Sequence, residues 1–278
     1  MDRSASFEVC AGLVRRHDPD RYFSALFAPR PWRPALMALY AFNYEIARVG
    51  ETVREPMMGE IRLEWWRETV EGARAGAPRT HDVALALEAV LKENALPQEL
   101  FEAMIEARRR DVLPQMFESV AALEGYGAGT VGALIELCGI VLGGKVLPEQ
   151  ARAAGSAYAL TGLLRAIPHH AARGKLYLPL DLLTQFELTP EQIFAGHGGE
   201  GLRGLMGALS QRAEAQLKKA RAFGRPGKNL SAFLPLALVP LYLKTMRAPG
   251  FDVFRHPAEV APARKHWALL SAATRGMF

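Results

Sequence analysis

Residues 160–179 read LTGLLRAIPHHAARGKLYLP. The first half has the apolar spacing of a helix, and the run from Pro148 to about residue 166 predicts one that Pro168 ends, since proline removes a helical hydrogen bond and clashes with the turn before it. The second half, Arg173 to Pro179, is the only strand-like piece. It is short and flanked by Gly174 and Pro179, so it reads as an extended loop. Period-2 alternation is absent elsewhere, so no sheet is predicted and the chain reads as all-α.

Outward from this stretch, helical periodicity dominates. Residues 5–16 form a first helix, and Asp18-Pro19-Asp20 is a start signal for a second, Arg21 to Phe27. Residues 34–49 form an apolar helix with Leu36, Leu39, Tyr40, Asn43 and Ala47 near one face. Residues 57–75 are amphipathic, with Ile61, Trp65, Trp66 and Val70 between charges. Thr80 caps a helix running to about Asn94. Pro97 opens another over 97–113, which Pro114 closes. Residues 119–142 make a long helix dotted with glycine. Pro190 starts a short helix, and 200–223, 230–247 and 258–274 complete the set. Nine or more helices without a linker predict one domain over 1–278, larger than a four-helix bundle and built around a central cavity. Gly and Ala are frequent in 125–144 and 151–162. Small residues there suit close helix packing, and they also leave room for a long apolar ligand.

Composition narrows the function. Half of the 278 residues are hydrophobic and 23% are charged, so the chain can bury a large core. A net charge of +5 is mild and scattered. It suits attraction to anionic lipid or a diphosphate, and gives no case for nucleic acid. The densest basic run, Arg108–Arg110, reads as a solvated helix face. Two cysteines, Cys10 and Cys138, are too few for a disulfide framework or a zinc site and fit a reducing, cytoplasmic compartment. The start, Met1 to Ser4, lacks a signal peptide's apolar core. No run reaches the roughly 18 apolar residues of a spanning helix, because Glu136 interrupts 131–142 and Pro235 and Pro240 interrupt 233–243. The expectation is a soluble or peripheral protein.

Walker loops, nucleophile elbows, H-E-x-x-H and dinucleotide fingerprints are missing. The adjacent His169 and His170 admit two readings, metal ligands or a polar surface turn. Three stretches are more specific. They are Leu39 to Glu51, the run YGAGTVG from Tyr126 to Gly132, and LLR at 163–165 followed by RGKLYLP at 173–179. With Asp111 after Arg110, they resemble, in order and spacing from about residue 5 to 275, the signatures of the squalene and phytoene synthases. The resemblance implies an isoprenoid-synthase-type helical domain. It also implies two facing helices, each with an aspartate pair at i and i+4, a spacing that puts both carboxylates on one face. In such a family the pairs hold magnesium, which neutralises the prenyl diphosphate as it leaves.

The chain departs from that pattern at the decisive positions. The first pair reads Ala47 and Glu51, with Arg48 after Ala47. The second reads Ala166 and His170, within Arg165 to His170. Glu51 alone remains a carboxylate, and a neutral imidazole is a poor magnesium ligand. Glu45 is turned about 200° from Ala47 on a helix and faces away. A rebuilt site would have to draw on Glu51, Asp111 and His170, although Asp111 and Glu136 are equally ion-pair residues. The LRAIPHH and LPLD runs (164–170 and 178–181), AFNYEIARV (41–49) and EIRLEWW (60–66) resemble one branch of the superfamily, a mitochondrial assembly factor for respiratory complex I.

The resemblance therefore implies a non-catalytic factor, peripheral to the inner membrane, with a complex I assembly partner and without metal or cofactor. A prenyltransferase using Mg2+ on farnesyl or geranylgeranyl diphosphate is the alternative. A carrier of a prenyl diphosphate or lipid is a third reading, and a tail-length apolar tunnel would favour these two. Tyr40, Asn43, Asp111, Tyr126, Arg173, Lys175 and Tyr177 are the candidate cavity or anion-binding residues. Arg48, Arg165, Arg173 and Lys175 either bind an anionic head group or pair with local acids such as Glu51. Trp65 and Trp66 point in different directions, so one of them is expected in the core. Whether Phe251 to Trp267 is core or docking surface stays open.

Overall fold

The carboxylate of Asp18 accepts from the backbone amide of Arg21 at 3.1 Å, so the start signal before Pro19 works as a helix cap. It separates α1 (Arg3–His17) from α2 (Pro19–Ala25). The computed structural model describes residues 3–53, 55–113 and 115–278. Met1 and Asp2 of the N-terminal reading, and the helix-closing Pro114, lie outside the described residues.

The chain continues through α3 (Arg33–Ala47), the single turn α4 (Val49–Thr52), α5 (Pro56–Arg74), α6 (Asp82–Glu93) and α7 (Gln98–Val112). Then come α8 (Val120–Gly127), a wide π turn (Ala128–Gly132), α9 (Ala133–Val141), α10 (Pro148–Arg165) and α11 (Ile167–Ala171). The last third holds α12 (Leu180–Gln185), α13 (Pro190–Phe194), α14 (Gly199–Ala222), α15 (Leu230–Phe233), α16 (Val239–Met246) and α17 (Pro262–Arg275). No strand occurs among the described residues, and Arg173 to Pro179 is an irregular loop, as its flanks predict.

Helix α3 is the central element. Leu36, Leu39, Phe42 and Ile46 are fully buried, and the helix packs against α1, α6, α7 and α9. Phe42 stands edge-on to Trp66 of α5 and Phe101 of α7, at 5.7 and 5.4 Å between ring centres. Burying a side chain of that size contributes roughly 1.5–3 kcal/mol. Trp66 is therefore the core member of the tryptophan pair, while Trp65 is half-buried at its edge.

The glycines of the 125–155 region are explained by packing. A Cβ on Gly155 of α10 would lie 2.3 Å from the Gly132 nitrogen and 2.7 Å from the Gly127 carbonyl. Here α10 crosses the π turn backbone against backbone, and only glycine permits that approach.

Several boundaries differ from the sequence reading. His81, not Thr80, caps α6, its ring nitrogen accepting from the Val83 amide at 3.2 Å. Helix α10 stops at Arg165, and Pro168 sits in the first turn of α11, where proline is tolerated, instead of ending α10. The 119–142 helix contains the π turn. The 230–247 segment breaks at its prolines into α15, a tight 3-10 turn and α16. The last helix begins at Pro262, and α12 is an additional helix. By length and composition alone, Gly227–Met246 would suffice to cross a membrane, although the sequence reading set this segment aside; 67% of its apolar window is buried within the protein.

Candidate functional site

The two motifs flanking the loop come together. The i and i+4 spacing survives in both, each interrupted by a single residue. Arg48 separates α3 from α4, and Ala166 separates α10 from α11 while its carbonyl still accepts from the His170 amide at 2.9 Å. Across the gap between these motifs, His169 Nε2 lies 3.4 Å from Glu51 Oε1. Both side chains are about half exposed, so the pair stabilises little.

Beneath this pair lies the polar centre of the site. Asp111, at the end of α7, is 4% exposed. Its Oδ1 accepts from the Tyr177 hydroxyl at 2.8 Å and from Tyr126 at 3.0 Å. Its Oδ2 accepts from Tyr126 at 3.0 Å and from Arg108 Nη1 at 3.1 Å. Arg108 also donates to the Tyr126 hydroxyl. Burial works against the Arg108 charge, but Tyr126 and Asp111 outweigh it and hold the guanidinium more firmly protonated than usual. Burial, then Asp111, raises the Tyr177 hydroxyl above the ordinary phenol range. Burial likewise raises Tyr126.

Lys175, in the extended loop, closes the other side. Its ammonium donates to the backbone carbonyls of Gly50 and Asp111, clamping α4 onto the end of α7. Burial pulls its pKa down from the ordinary lysine value. Gly50 makes the clamp geometrically available, because a Cβ there would lie 2.6 Å from the Asp111 carbonyl oxygen. The His170 ring packs on Tyr177 at 4.4 Å. Burial first, then the charges of His169, Lys175 and Arg173, pulls its pKa down to about 4, so it is neutral near pH 7.

Of the expected site residues, Asp111, Tyr126, Lys175 and Tyr177 form this one cluster. Arg173 sits at its rim and donates to the His169 carbonyl at 3.2 Å. Arg173, Lys175 and Tyr177 also line an open groove of about 470 Å³ with Arg110 and Phe194. Tyr40 and Asn43 are buried, and neither belongs to the Asp111 hydrogen-bond cluster. Tyr40 lines a gap with Arg21, Cys138 and Tyr158 that measures about 10 Å³, room for no more than one water molecule.

Of the four cations read as either binding an anion or pairing with local acids, Arg173 and Lys175 share the groove beside Tyr177, and Arg48 and Arg165 are engaged elsewhere. Arg48 pairs with Glu45 at 3.3 Å. Arg165 lies over the Tyr242 ring at 3.6 Å. Lys175 is committed to carbonyls. Glu51 meets His169 and none of these arginines.

Arg108 is the member that the sequence reading misplaced. It is turned inward to the cluster instead of lying on a solvated face. Its spacing of three residues from Asp111 was the available signal, since i and i+3 share a helix face. Among the described residues, no three His, Cys, Asp or Glu side chains gather as a metal site.

Comparisons with known proteins agree on ancestry. Residues 14–266 match the family model for squalene/phytoene synthase. The chain is 30% identical over 253 residues to the mouse NADH dehydrogenase (ubiquinone) complex I, assembly factor 6, covering 90% of this chain and 76% of that protein. It is 28% identical over 292 residues to a 15-cis-phytoene synthase of Synechococcus elongatus, covering 98% and 94%. A crystal structure of a dehydrosqualene synthase in complex with ligand superposes with a TM-score of 0.85 at 18% identity, covering 98% of this chain and 97% of that one, which is a likeness of fold. A family match over most of its length, on an all-helical frame whose signature segments converge at Asp111, makes this chain a member of the squalene/phytoene synthase family.

Proposed function

We propose that the chain is a non-catalytic member of this family that assists assembly of respiratory complex I, as a peripheral protein on the cytoplasmic side of the inner membrane. The observation that carries the reading is the chemistry of the site. Positions 47 and 166 are alanine, position 170 is a neutral imidazole, and both oxygens of the buried Asp111 are taken by two tyrosines and an arginine. That donor set does not fit magnesium, which demands several oxygen ligands in near-octahedral array. Glu51 remains, half exposed and facing a histidine. Similarity to the mouse assembly factor over 90% of the chain supports the partner class.

Prenyl transfer is the second reading, favoured by likeness to a phytoene synthase over nearly the whole chain. It would need Glu51, Asp111 and His170 to rebuild a metal site. A carrier role would need room for a tail; the gap beside Tyr40 is water-sized, and the groove of about 470 Å³ beside Arg173, Lys175 and Tyr177 is open. The deciding experiment incubates the purified chain with labelled farnesyl and geranylgeranyl diphosphate, magnesium or manganese, with and without NADPH, beside an active family member. No organic-phase product from the folded protein is the expected result. Product above background that a chelator abolishes would overturn the reading.

A further inference from the structure

Trp267 on α17 leaves 71% of its surface in solvent, although indole is among the largest apolar groups a protein can bury. Leu270, about one turn on, is 46% exposed. The neighbouring His266 packs its ring edge-on against Phe23 of α2 at 4.4 Å. Four residues beyond Phe23, in the turn that closes α2, Phe27 is 40% exposed. Trp267 and Leu270, three residues apart, share one face of α17, and the Phe23–His266 contact sets the turn that carries Phe27 beside that helix. Lys265 also joins the same two helices by its 2.9 Å ion pair with Asp20.

The charge of this face is one-sided. Residues 21–44 and 260–278 contain no aspartate or glutamate, yet they carry Arg21, Arg30, Arg33, Arg264, Lys265 and Arg275. Asp18 and Asp20, the acids beside the patch, are already engaged by Arg21 and Lys265. Arg30 and Arg264 have no ion-pair partner among the described residues. Glu259, before α17, is the next acid in the sequence.

We propose that this face, α17 with the closing turn of α2, docks onto the surface of an anionic lipid bilayer. An amphipathic helix with tryptophan and leucine outward and arginine at the flank suits the interface. The indole sits at head-group level, leucine and phenylalanine reach the acyl boundary, and arginine meets lipid phosphate. The same charges argue against a second copy as occupant, because a two-fold contact would bring arginine against arginine with no acid between. The proposal deepens the peripheral placement given above, and the two fail separately. Absent vesicle binding removes this surface and leaves the turnover result standing, while prenyl-transfer product removes the non-catalytic reading and leaves vesicle binding standing.

The test is sedimentation of the full chain with vesicles of phosphatidylcholine, alone or mixed with phosphatidylglycerol. Binding is expected on the mixed vesicles, weakening as salt rises. Removing the Arg264 charge with Arg264→Gln should weaken binding about fivefold, the attraction of one basic residue near an anionic surface. The double variant Trp267→Ser with Leu270→Ser should weaken it at least as much. These side chains are solvent-exposed, so each variant should melt like the parent. The vesicle-induced blue shift of tryptophan emission should be lost in Trp267→Phe. Failure to bind mixed vesicles, or equal binding by parent and variants, overturns the proposal. So does light scattering that shows a dimer which Trp267→Ser dissociates, for the face would then be an interface between copies.

Discussion

The Tyr177 hydroxyl donates to Asp111 Oδ1 at 2.8 Å, across 66 residues of sequence, and fixes the extended loop to the end of α7. With Tyr126 and Arg108 on the same carboxylate, the cluster is a buried charge pair in which both Asp111 oxygens accept hydrogen bonds, while Arg108 Nε has no partner among the described residues. Such pairs are costly to break from one side, because the surviving partner stays buried and uncompensated. Asp111→Ala should destabilise by about 3–5 kcal/mol. Tyr177→Phe, which removes one hydrogen bond to a charged group, should cost about 2 kcal/mol. Urea unfolding followed by circular dichroism measures both. Equal, small losses would mean that the cluster contributes nothing beyond packing.

How much of this was legible beforehand follows from which residues carry local signals. Prolines, caps and periodicity marked most helices, because those are rules of adjacent sequence; Asp18 and Pro148 act as read. The ordered motifs put Tyr40, Asn43, Asp111, Tyr126, Arg173, Lys175 and Tyr177 together as candidates; Asp111, Tyr126, Lys175 and Tyr177 share one cluster, Arg173 lies at its rim, and Tyr40 and Asn43 lie outside it. Arg108 was missed because a run of three arginines suggests solvent, and only tertiary packing turns one of them inward. The Lys175 clamp was illegible for another reason: its partners are the backbone carbonyls of Gly50 and Asp111, which no side-chain pattern announces. The His81 cap of α6 is an imidazole doing the work of a hydroxyl, outside the usual capping residues.

Both cysteines should be inert in the folded protein. Cys10 and Cys138 are fully buried, and burial pushes each thiol up to about 12. The reactive species is the thiolate, so neither exposure nor ionisation favours attack. A disulfide reagent such as dithionitrobenzoate should titrate no thiol under native conditions and both in denaturant. Rapid native reaction of one thiol would reveal an opening of α1 or α9 that the packed structure does not anticipate.

His170 should make stability fall in mild acid. Its folded pKa is about 4 against an ordinary 6.5, through burial and the neighbouring cations. The unfolded chain therefore takes up a proton below about pH 6.5 that the folded chain refuses until about pH 4. The contribution is fully present above the ordinary histidine pKa. It is lost as pH falls through that window, by at most about 3 kcal/mol. His170→Asn should flatten the pH dependence of urea unfolding between those limits, relative to the parent. Carboxylates titrating in the same range affect both proteins alike, so the difference between the two curves isolates the imidazole. Superimposable curves would place His170 in solvent.

Two glycine-to-alanine changes should have opposite signs. Gly12 lies within α1, with nothing within 4 Å of where a Cβ would go. Alanine there keeps the helix and removes glycine's excess freedom in the unfolded chain, so Gly12→Ala should stabilise by about 0.5–1 kcal/mol. At Gly50 the same methyl would sit 2.6 Å from the Asp111 carbonyl oxygen and 2.7 Å from the Asp111 Cβ. Neither atom belongs to a flexible side-chain tip, so α4 must move off α7. Moving α4 stretches the bond from Lys175 to the Gly50 carbonyl and exposes the cluster beneath. Overpacking of this kind costs roughly 1–3 kcal/mol, and the loss of the clamp adds to it. Thermal melts of the two variants beside the parent should therefore bracket it. If Gly50→Ala melts at or above the parent, α4 is free to rotate away at no cost, and the clamp does not hold the two motifs together.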